Sequence, residues 1–143
     1  MSERVLGLDF GSKTVGVAVS DPLFMTAQPV ETITRSGANK LRRTLTRIGE
    51  LMLLYDVSEI VLGYPLNMDG TEGKRCEATW EFKALLEKRF HKPVTLYNEQ
   101  LTTVAADEIL SEMGVKKADR KKHIDKIAAT VILQDYIDEK RKS

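Results

Sequence analysis

The start of the chain contains two short apolar runs separated by a turn. Residues 5–8 (V-L-G-L) form an apolar run without alternation, which is typical of a strand buried on both faces. Residues 15–19 (V-G-V-A-V) form a second run rich in β-branched residues, and Gly11 lies in the turn between them. This pattern predicts a β-hairpin. Gly16, inside the second run, indicates either a bulge or the close approach of another backbone.

Beyond the hairpin, the pattern predicts one more strand and then alternating helices and strands. Residues 28–34 alternate like a third strand, and Pro29 is compatible with a sheet edge. The next apolar positions recur at helical spacing, at Leu41, Leu45, Ile48, Leu51 and Met52. The remaining predicted elements are strands over 59–63 and 94–97 and helices over 75–90, 102–113 and 124–139. The order is β-β-β-α-β-α-β-α-α.

This order predicts an α/β fold with a central mixed sheet of five strands. Three strands form an antiparallel meander, two are parallel, and the helices pack on the sheet. With 143 residues, the chain fits a single domain over 1–143. No stretch approaches the roughly 18 apolar residues of a membrane span, and we expect no membrane partner.

Charge and cysteine content bear on the binding partners and on the cellular compartment. The net charge of +1 predicts no nucleic-acid partner by itself, but residues 116–126 are dense in Lys and Arg. The single cysteine, Cys76, excludes an internal disulfide and fits a reducing compartment. Because no secretion signal pattern opens the chain, we expect a cytoplasmic protein.

Three acids are candidates for a functional site. Asp9 ends the first predicted strand and Glu99 follows the last, at the strand ends where open α/β sheets place their sites. Asp125 lies in the first turn of the last predicted helix, and Ala128 and Ala129 are small enough to let that turn approach a sheet. An acid at the end of a buried strand is costly unless it is paired, and a metal ion would pair it.

Four sequence blocks follow one another along the chain. They are L-D-F-G-S-K-T-V-G-V-A-V-S-D at 8–21, V-L-G-Y-P-L-N-M-D-G-T-E-G at 61–73, N-E-Q-L-T-T at 98–103 and H-I-D-K-I-A-A-T-V-I-L-Q-D-Y at 123–136. Together they resemble the YqgF/RuvX family of the ribonuclease H-like superfamily. The resemblance implies a ribonuclease H-like fold and an acidic, catalytic metal site made of Asp9, Glu99 and Asp125. The family usually has Asp-Glu-Arg in the third block, whereas Asn98 and Gln100 flank the glutamate here.

Such a site fits metal-dependent phosphodiester hydrolysis. Mg²⁺ and Mn²⁺ are hard cations that take oxygen ligands, and two of them about 4 Å apart can activate a water and stabilise the leaving oxygen. Contacts to nucleic acid, mostly to phosphates, are then expected from Lys13, Asn67, Lys116, Lys117, Arg120 and Lys121.

Each candidate also has a purely structural interpretation. Asp9 could end its strand through an Asx turn with Gly11, and Asp125 could complement the helix dipole. Glu99 could be an ordinary exposed acid after a strand. The Asp69-Gly70 pair is a common turn signal, and a lysine-rich run is usually a solvated face. The coincidence of all three acids with the family's blocks favours the functional interpretation.

Three classes of function remain open. The first is a metal-dependent nuclease, and the second is a non-catalytic nucleic-acid-binding module on the same fold, which the three acids argue against. The third is an actin-like or sugar-kinase-like nucleotide binder, which needs two domains and a second Asp-x-Gly-Ser/Thr loop that this chain lacks.

Within the nuclease class, the family resemblance implies two substrates. One is structured RNA, the precursor of 16S ribosomal RNA, whose 5′ end is processed during ribosome biogenesis. The other is branched DNA, the Holliday junction, whose resolution needs two active sites and hence a dimer. Every predicted helix uses its apolar face on the sheet, so we favour a monomer that acts on ribosome precursors.

Overall fold

The computed structural model describes residues 4–37, 41–66, 69–99 and 102–142, without the side chains at positions 99, 102 and 103. Its strands are β1 (Arg4–Phe10), β2 (Thr14–Ser20), β3 (Ala27–Thr34), β4 (Val57–Pro65) and β5 (Val94–Glu99). Its helices are α1 (Leu41–Leu54), α2 (Lys74–Phe90), α3 (Thr102–Glu112), α4 (Lys117–Arg120) and α5 (Ile124–Lys142).

The strands form one mixed sheet in the order β3-β2-β1-β4-β5. The β1–β2 and β2–β3 pairs are antiparallel, and the β1–β4 and β4–β5 pairs are parallel. The predicted meander, the two parallel strands and the order of the main elements are therefore confirmed. Pro29 lies on β3, an edge strand of this sheet, as predicted. The short helix α4 was not predicted, and β4 extends beyond the predicted 59–63.

Helices cover both faces of the sheet, which explains why β1 shows no polar alternation. On one face, Leu6 and Leu8 of β1 pack in a buried cluster with residues of α1 and α2. On the other face, Val5 packs in a second cluster with residues of α5. Because side chains alternate along a strand, Asp9 belongs to the face of Val5, which is the face that α5 covers.

Two glycines allow α5 to lie close to the sheet. A Cβ atom added to Gly7 would lie 2.8 Å from the Cβ of Leu133, and one added to Gly16 would lie 1.9 Å from the carbonyl oxygen of Asp125. The close backbone approach predicted at Gly16 is thus confirmed. The irregularity in the β2–β3 ladder lies elsewhere, between Val17 and Ala18.

The small residues early in α5 face two different neighbours. Ala129 is fully buried against the sheet, as predicted. Ala128 instead packs with Ala106 and Leu110 of α3, because α3 lies on α5 rather than on the sheet.

The packing of α3 corrects one expectation. We predicted that every helix would use its apolar face on the sheet, and this is wrong for α3. Val104 and Ile109 of α3 are 53% and 37% exposed, and Met113, directly after the helix, is 67% exposed. These exposed apolar residues remove the reason for expecting a monomer. Among the described helices, none combines the length and apolar character needed to cross a membrane.

Candidate active site

Asp9 lies near the carboxyl end of β1, directly across from Gly16 of β2. Its side chain is half-buried. Residues directly opposite each other in an antiparallel pair have Cα atoms about 4.5–5.5 Å apart and share one face. Asp9 therefore faces α5 beside a position that has no side chain.

The first turn of α5 occupies the space beside that glycine. A Cβ at Gly16 would lie 1.9 Å from the carbonyl oxygen of Asp125 and 2.9 Å from the backbone nitrogen of Lys126. The backbone of Asp125 is thus in direct contact with the residue opposite Asp9. The Asp125 side chain is half-buried in this first turn. The structure brings together the segments of two predicted site acids that come from opposite ends of the chain.

Glu99 is the last residue of β5 and pairs in register with Pro65 of β4. The aligned positions Leu8, Leu62 and Leu96 run across β1, β4 and β5, so the backbone of Glu99 lies at the same carboxyl edge as Asp9. With a strand spacing of roughly 4.8 Å, β5 lies roughly 10 Å from β1. The Glu99 side chain is outside the described part of the structure. Among the side chains that are described, no three His, Cys, Asp or Glu residues are grouped to hold a metal ion.

Two arginines hold the turn that follows Asp9. Arg35 Nη2 donates hydrogen bonds to the carbonyl oxygens of Gly11 and Ser12, at 2.6 and 2.8 Å. Arg75 Nη2 donates to the carbonyl oxygen of Phe10 at 2.7 Å. The backbone beside Asp9 is therefore fixed from β3 and from α2 at once, which limits the positions that the Asp9 carboxylate can take.

A polar cluster closes the loop that follows β4. Tyr64 donates a hydrogen bond to a carboxylate oxygen of Glu72 at 2.7 Å and accepts one from Trp80 Nε1 at 3.0 Å. The Glu72 carboxylate and the burial of the phenol raise the pKa of Tyr64 to about 12. The predicted contact residue Asn67 lies outside the described residues.

The Asp69-Gly70 pair forms an ordinary turn, as its structural interpretation expected. Asp69 Oδ1 accepts hydrogen bonds from the hydroxyl and the backbone N–H of Thr71, at 2.6 and 2.9 Å. These bonds, that from the Thr71 hydroxyl first, lower the pKa of Asp69. Gly70 has φ of +85°, a conformation that favours glycine.

The basic candidates are not uniformly solvated. Lys13, Lys116, Lys117 and Lys121 are exposed. Arg120, in contrast, is half-buried: its Nε donates to the carbonyl oxygen of Val115 at 3.0 Å, and its Nη1 lies 3.5 Å from the Asp107 carboxylate. The expectation of a solvated face is therefore wrong at this position, because Arg120 links α4 to α3.

Known proteins resemble this chain over nearly its whole length. The sequence model of the family described as "RuvX: Holliday junction resolvase" matches residues 3–139. A protein of Lachnospira eligens is 58% identical over 139 residues, which cover 97% of this chain and 99% of that protein. The chain belongs to the RuvX family. The Lachnospira relative is named, provisionally, a pre-16S rRNA nuclease. A protein of Agathobacter rectalis with the same name is 56% identical over 135 residues, 94% of each chain.

Solved structures show the fold that RuvX proteins share with resolvases. RuvC of Thermus thermophilus in complex with a Holliday junction substrate matches with a TM-score of 0.61 at 16% identity, over 99% of this chain and 97% of that one. The Holliday junction resolvase of fowlpox virus matches with a TM-score of 0.55 at 14% identity, over 95% and 98%. The predicted family of nucleases and its ribonuclease H-like fold are confirmed.

Sequence reasoning about this RuvX protein missed the arginines that hold the Asp9 turn. Arg35 directly follows β3 and Arg75 is the second residue of α2. Neither lies near Asp9 in sequence, and neither belongs to a local motif with a known contact. Only the sheet order, which brings the end of β3 to the β1–β2 turn, could have suggested Arg35.

Proposed function

We propose that this RuvX protein is a phosphodiester hydrolase that depends on a divalent cation and uses Asp9, Glu99 and Asp125 as its catalytic carboxylates. The contact between the first turn of α5 and Gly16 is the main support, because it brings the Asp125 backbone beside the residue that faces Asp9. Structural roles alone require no such proximity, since an Asx turn and a helix dipole are each satisfied locally.

The donor set fits Mg²⁺ or Mn²⁺. Carboxylate oxygens are the ligands that these hard cations take, and both described acids are only half-buried, so a hydrated ion can reach them. Asp9 would hold the ion from the sheet, Asp125 from the helix and Glu99 from the end of β5. A bound cation supplies Lewis acidity to the scissile phosphate and makes water a better nucleophile near neutral pH.

The other candidates would orient the nucleic acid. Lys13 is exposed in the turn that follows Asp9 and would neutralise a phosphate near the cut. Asn67 follows β4 by two residues in the sequence. Lys116, Lys117 and Lys121 precede α5, so their charges lie on the chain segment that leads into Asp125. Contacts of this kind position a substrate without reading its sequence.

Reversing three charges of the basic segment is expected to weaken nucleic-acid binding and flatten its salt dependence. Lys117, Lys121 and Lys122 should be changed to Glu together, and Arg120 retained because it links α4 to Asp107. Each lost phosphate contact should lower the slope of log K against log salt by about 0.7 to 0.9. The measurement is a binding titration at several salt concentrations.

A matched control separates local contacts from net charge. Changing Arg43, Lys88 and Lys92 to Glu alters the net charge equally, at exposed positions of other segments. Equal slopes for the two triple variants would mean that the basic segment is only a solubilising face.

The substrate we propose is the precursor of 16S ribosomal RNA in assembling ribosomes, cut at its 5′ end in the cytoplasm. The names of the two bacterial relatives support this choice. Depletion of the protein should cause 16S RNA with extended 5′ ends to accumulate, and wild-type protein, but not Asp9→Asn, should reverse this. Mapping of RNA 5′ ends is the measurement.

Four-way DNA junctions are the second candidate, because the family description and the resolvase structures point to them. Mature 16S 5′ ends after depletion, together with cleavage of a purified junction, would replace the RNA proposal with this one.

A further inference from the structure

A separate cavity lies behind the Asp9 turn, on the face of the sheet that α1 and α2 cover. Its volume is about 680 Å³, within the range of small-ligand pockets. Leu41, Phe82 and Leu85 form an apolar wall, and Phe10, Gly11 and Ser12 contribute the turn itself. The cavity and the candidate active site are therefore built on opposite sides of the same few residues.

Arg35 brings an unbalanced charge to this cavity. Only 6% of the residue is exposed, and its Nε and Nη1 atoms are buried without a hydrogen-bond partner among the described residues. None of the ion pairs in the described ranges involves Arg35, and burial lowers its pKa. A buried charge without a counter-ion is unfavourable. An anion in the cavity would stabilise the guanidinium.

The remaining charges of the lining are also mostly positive. Lys74 and Arg75 are exposed in the first turn of α2. Among the described residues that line the cavity, Glu81 provides the one carboxylate. The amino end of this 17-residue helix adds partial positive charge at the same place. Three cations against one carboxylate favour an anionic ligand.

The apolar wall indicates that the ligand is more than an inorganic anion. Phe82 stacks on Phe10 with ring centroids 4.0 Å apart, and the Arg35 guanidinium lies 4.9 Å from the Phe10 centroid. The stack is bordered by Leu41 and Leu85. Such a wall suits a planar apolar group, and a base next to a phosphate provides both chemistries.

We propose that this cavity holds one nucleotide of the substrate strand next to the scissile phosphate. Its phosphate would face Arg35, Lys74 and Arg75, and its base would pack along Leu41 and Leu85, since Phe82 is only 1% exposed. The inference rests on the proposed function, since the bound strand must pass Asp9. Because Phe10 directly follows Asp9, occupancy of the cavity would set which phosphate reaches the carboxylates, with no base pairing required.

Small probes test the cavity without catalysis. Adenosine monophosphate, inorganic phosphate and adenosine should be titrated into isotopically labelled protein at low salt, with amide chemical shifts as the readout. We expect the nucleotide to shift the amides of Gly11, Ala78 and Leu85 at concentrations about tenfold below those that phosphate or adenosine require. Shifts confined to other regions, or equal responses to the nucleotide and to phosphate, would overturn the proposal.

Two alanines of α2 offer a matched pair of variants. Ala78 and Ala84 are both exposed, but only Ala78 lines the cavity. Ala78→Glu would place a negative charge near the phosphate of the ligand. It should weaken nucleotide binding and raise the KM for cleavage about tenfold, since such repulsion costs about 1.4 kcal/mol. Ala78→Lys should tighten binding, whereas a purely steric effect would weaken it. Ala84→Glu should behave as wild type, and melting curves should show that all three variants fold.

The outcomes distinguish this inference from the proposed function. If Ala78→Glu binds and cleaves like Ala84→Glu while Asp9→Asn is inactive, the cavity proposal fails and the nuclease proposal stands. If the nucleotide binds in the cavity and Ala78→Glu abolishes this binding, but the wild type cleaves no nucleic acid, the nucleotide site stands and the nuclease proposal fails.

Discussion

Replacing Asp9 with Asn is expected to abolish phosphodiester cleavage and the stabilisation by Mg²⁺ or Mn²⁺ together, while the fold survives. The amide keeps the size of the carboxylate but removes the charge that binds the cation. A cation supplies several kcal/mol of transition-state stabilisation, so cleavage should fall at least about a hundredfold. In wild type, metal at a hundredfold excess over its Kd should add about 2.7 kcal/mol of stability, or roughly 5–10 °C in melting temperature.

Thermal melts with and without metal, beside cleavage assays on structured RNA and on a four-way DNA junction, provide the measurement. Asp56→Asn is the matched control, because it removes the same charge at an exposed position between α1 and β4. Asn tolerates the positive φ of 54° there. Undiminished cleavage by Asp9→Asn would exclude the proposed site. Loss of cleavage on only one substrate would identify the activity.

The sequence predicted those parts of the fold that depend on local pattern. The unbroken apolar run before Asp9 predicted a strand covered on both faces, and the two buried clusters on either side of β1 confirm it. Gly16 predicted either a bulge or a close backbone approach, because a glycine inside a strand often marks one of the two, and the structure shows the close approach. The pattern did not identify the approaching group as the first turn of α5, because the spacing of residues within a strand does not show which distant segment packs against it.

The features that the sequence did not predict depend on contacts between distant segments of the chain. Arg35 and Arg75 hold the Asp9 turn through backbone carbonyls, and any exposed arginine in a sequence could do so. Arg120 looked like its lysine neighbours, but its guanidinium reaches Val115 and Asp107. The position of α3 on α5 likewise depends on Ala106 and Ala128 meeting, and small residues give no directional signal in a sequence.

Replacing Gly16 with Ala is expected to destabilise the protein by roughly 3 kcal/mol or more, at the upper end of the cost of overpacking. The added methyl group would lie 1.9 Å from the carbonyl oxygen and 2.3 Å from the carbonyl carbon of Asp125. Both atoms belong to a helix backbone, so no side-chain rotation can relieve the overlap. The first turn of α5 must move away from β2, and Asp125 must move away from Asp9.

Gly7→Ala is the control, since its methyl group would meet Leu133 of the same helix two turns further on, at 2.8 Å. Both variants should lower the free energy of unfolding in urea, the Gly16 variant more, because its methyl group would overlap the helix much more deeply. If Asp9 and Asp125 share a cation, Gly16→Ala should also lose most of the metal-dependent rise in melting temperature, while Gly7→Ala should retain more of it. An equal metal response in both variants would mean that Asp125 does not belong to the metal site. If Gly16→Ala were as stable as wild type, the contact between α5 and β2 itself would be contradicted.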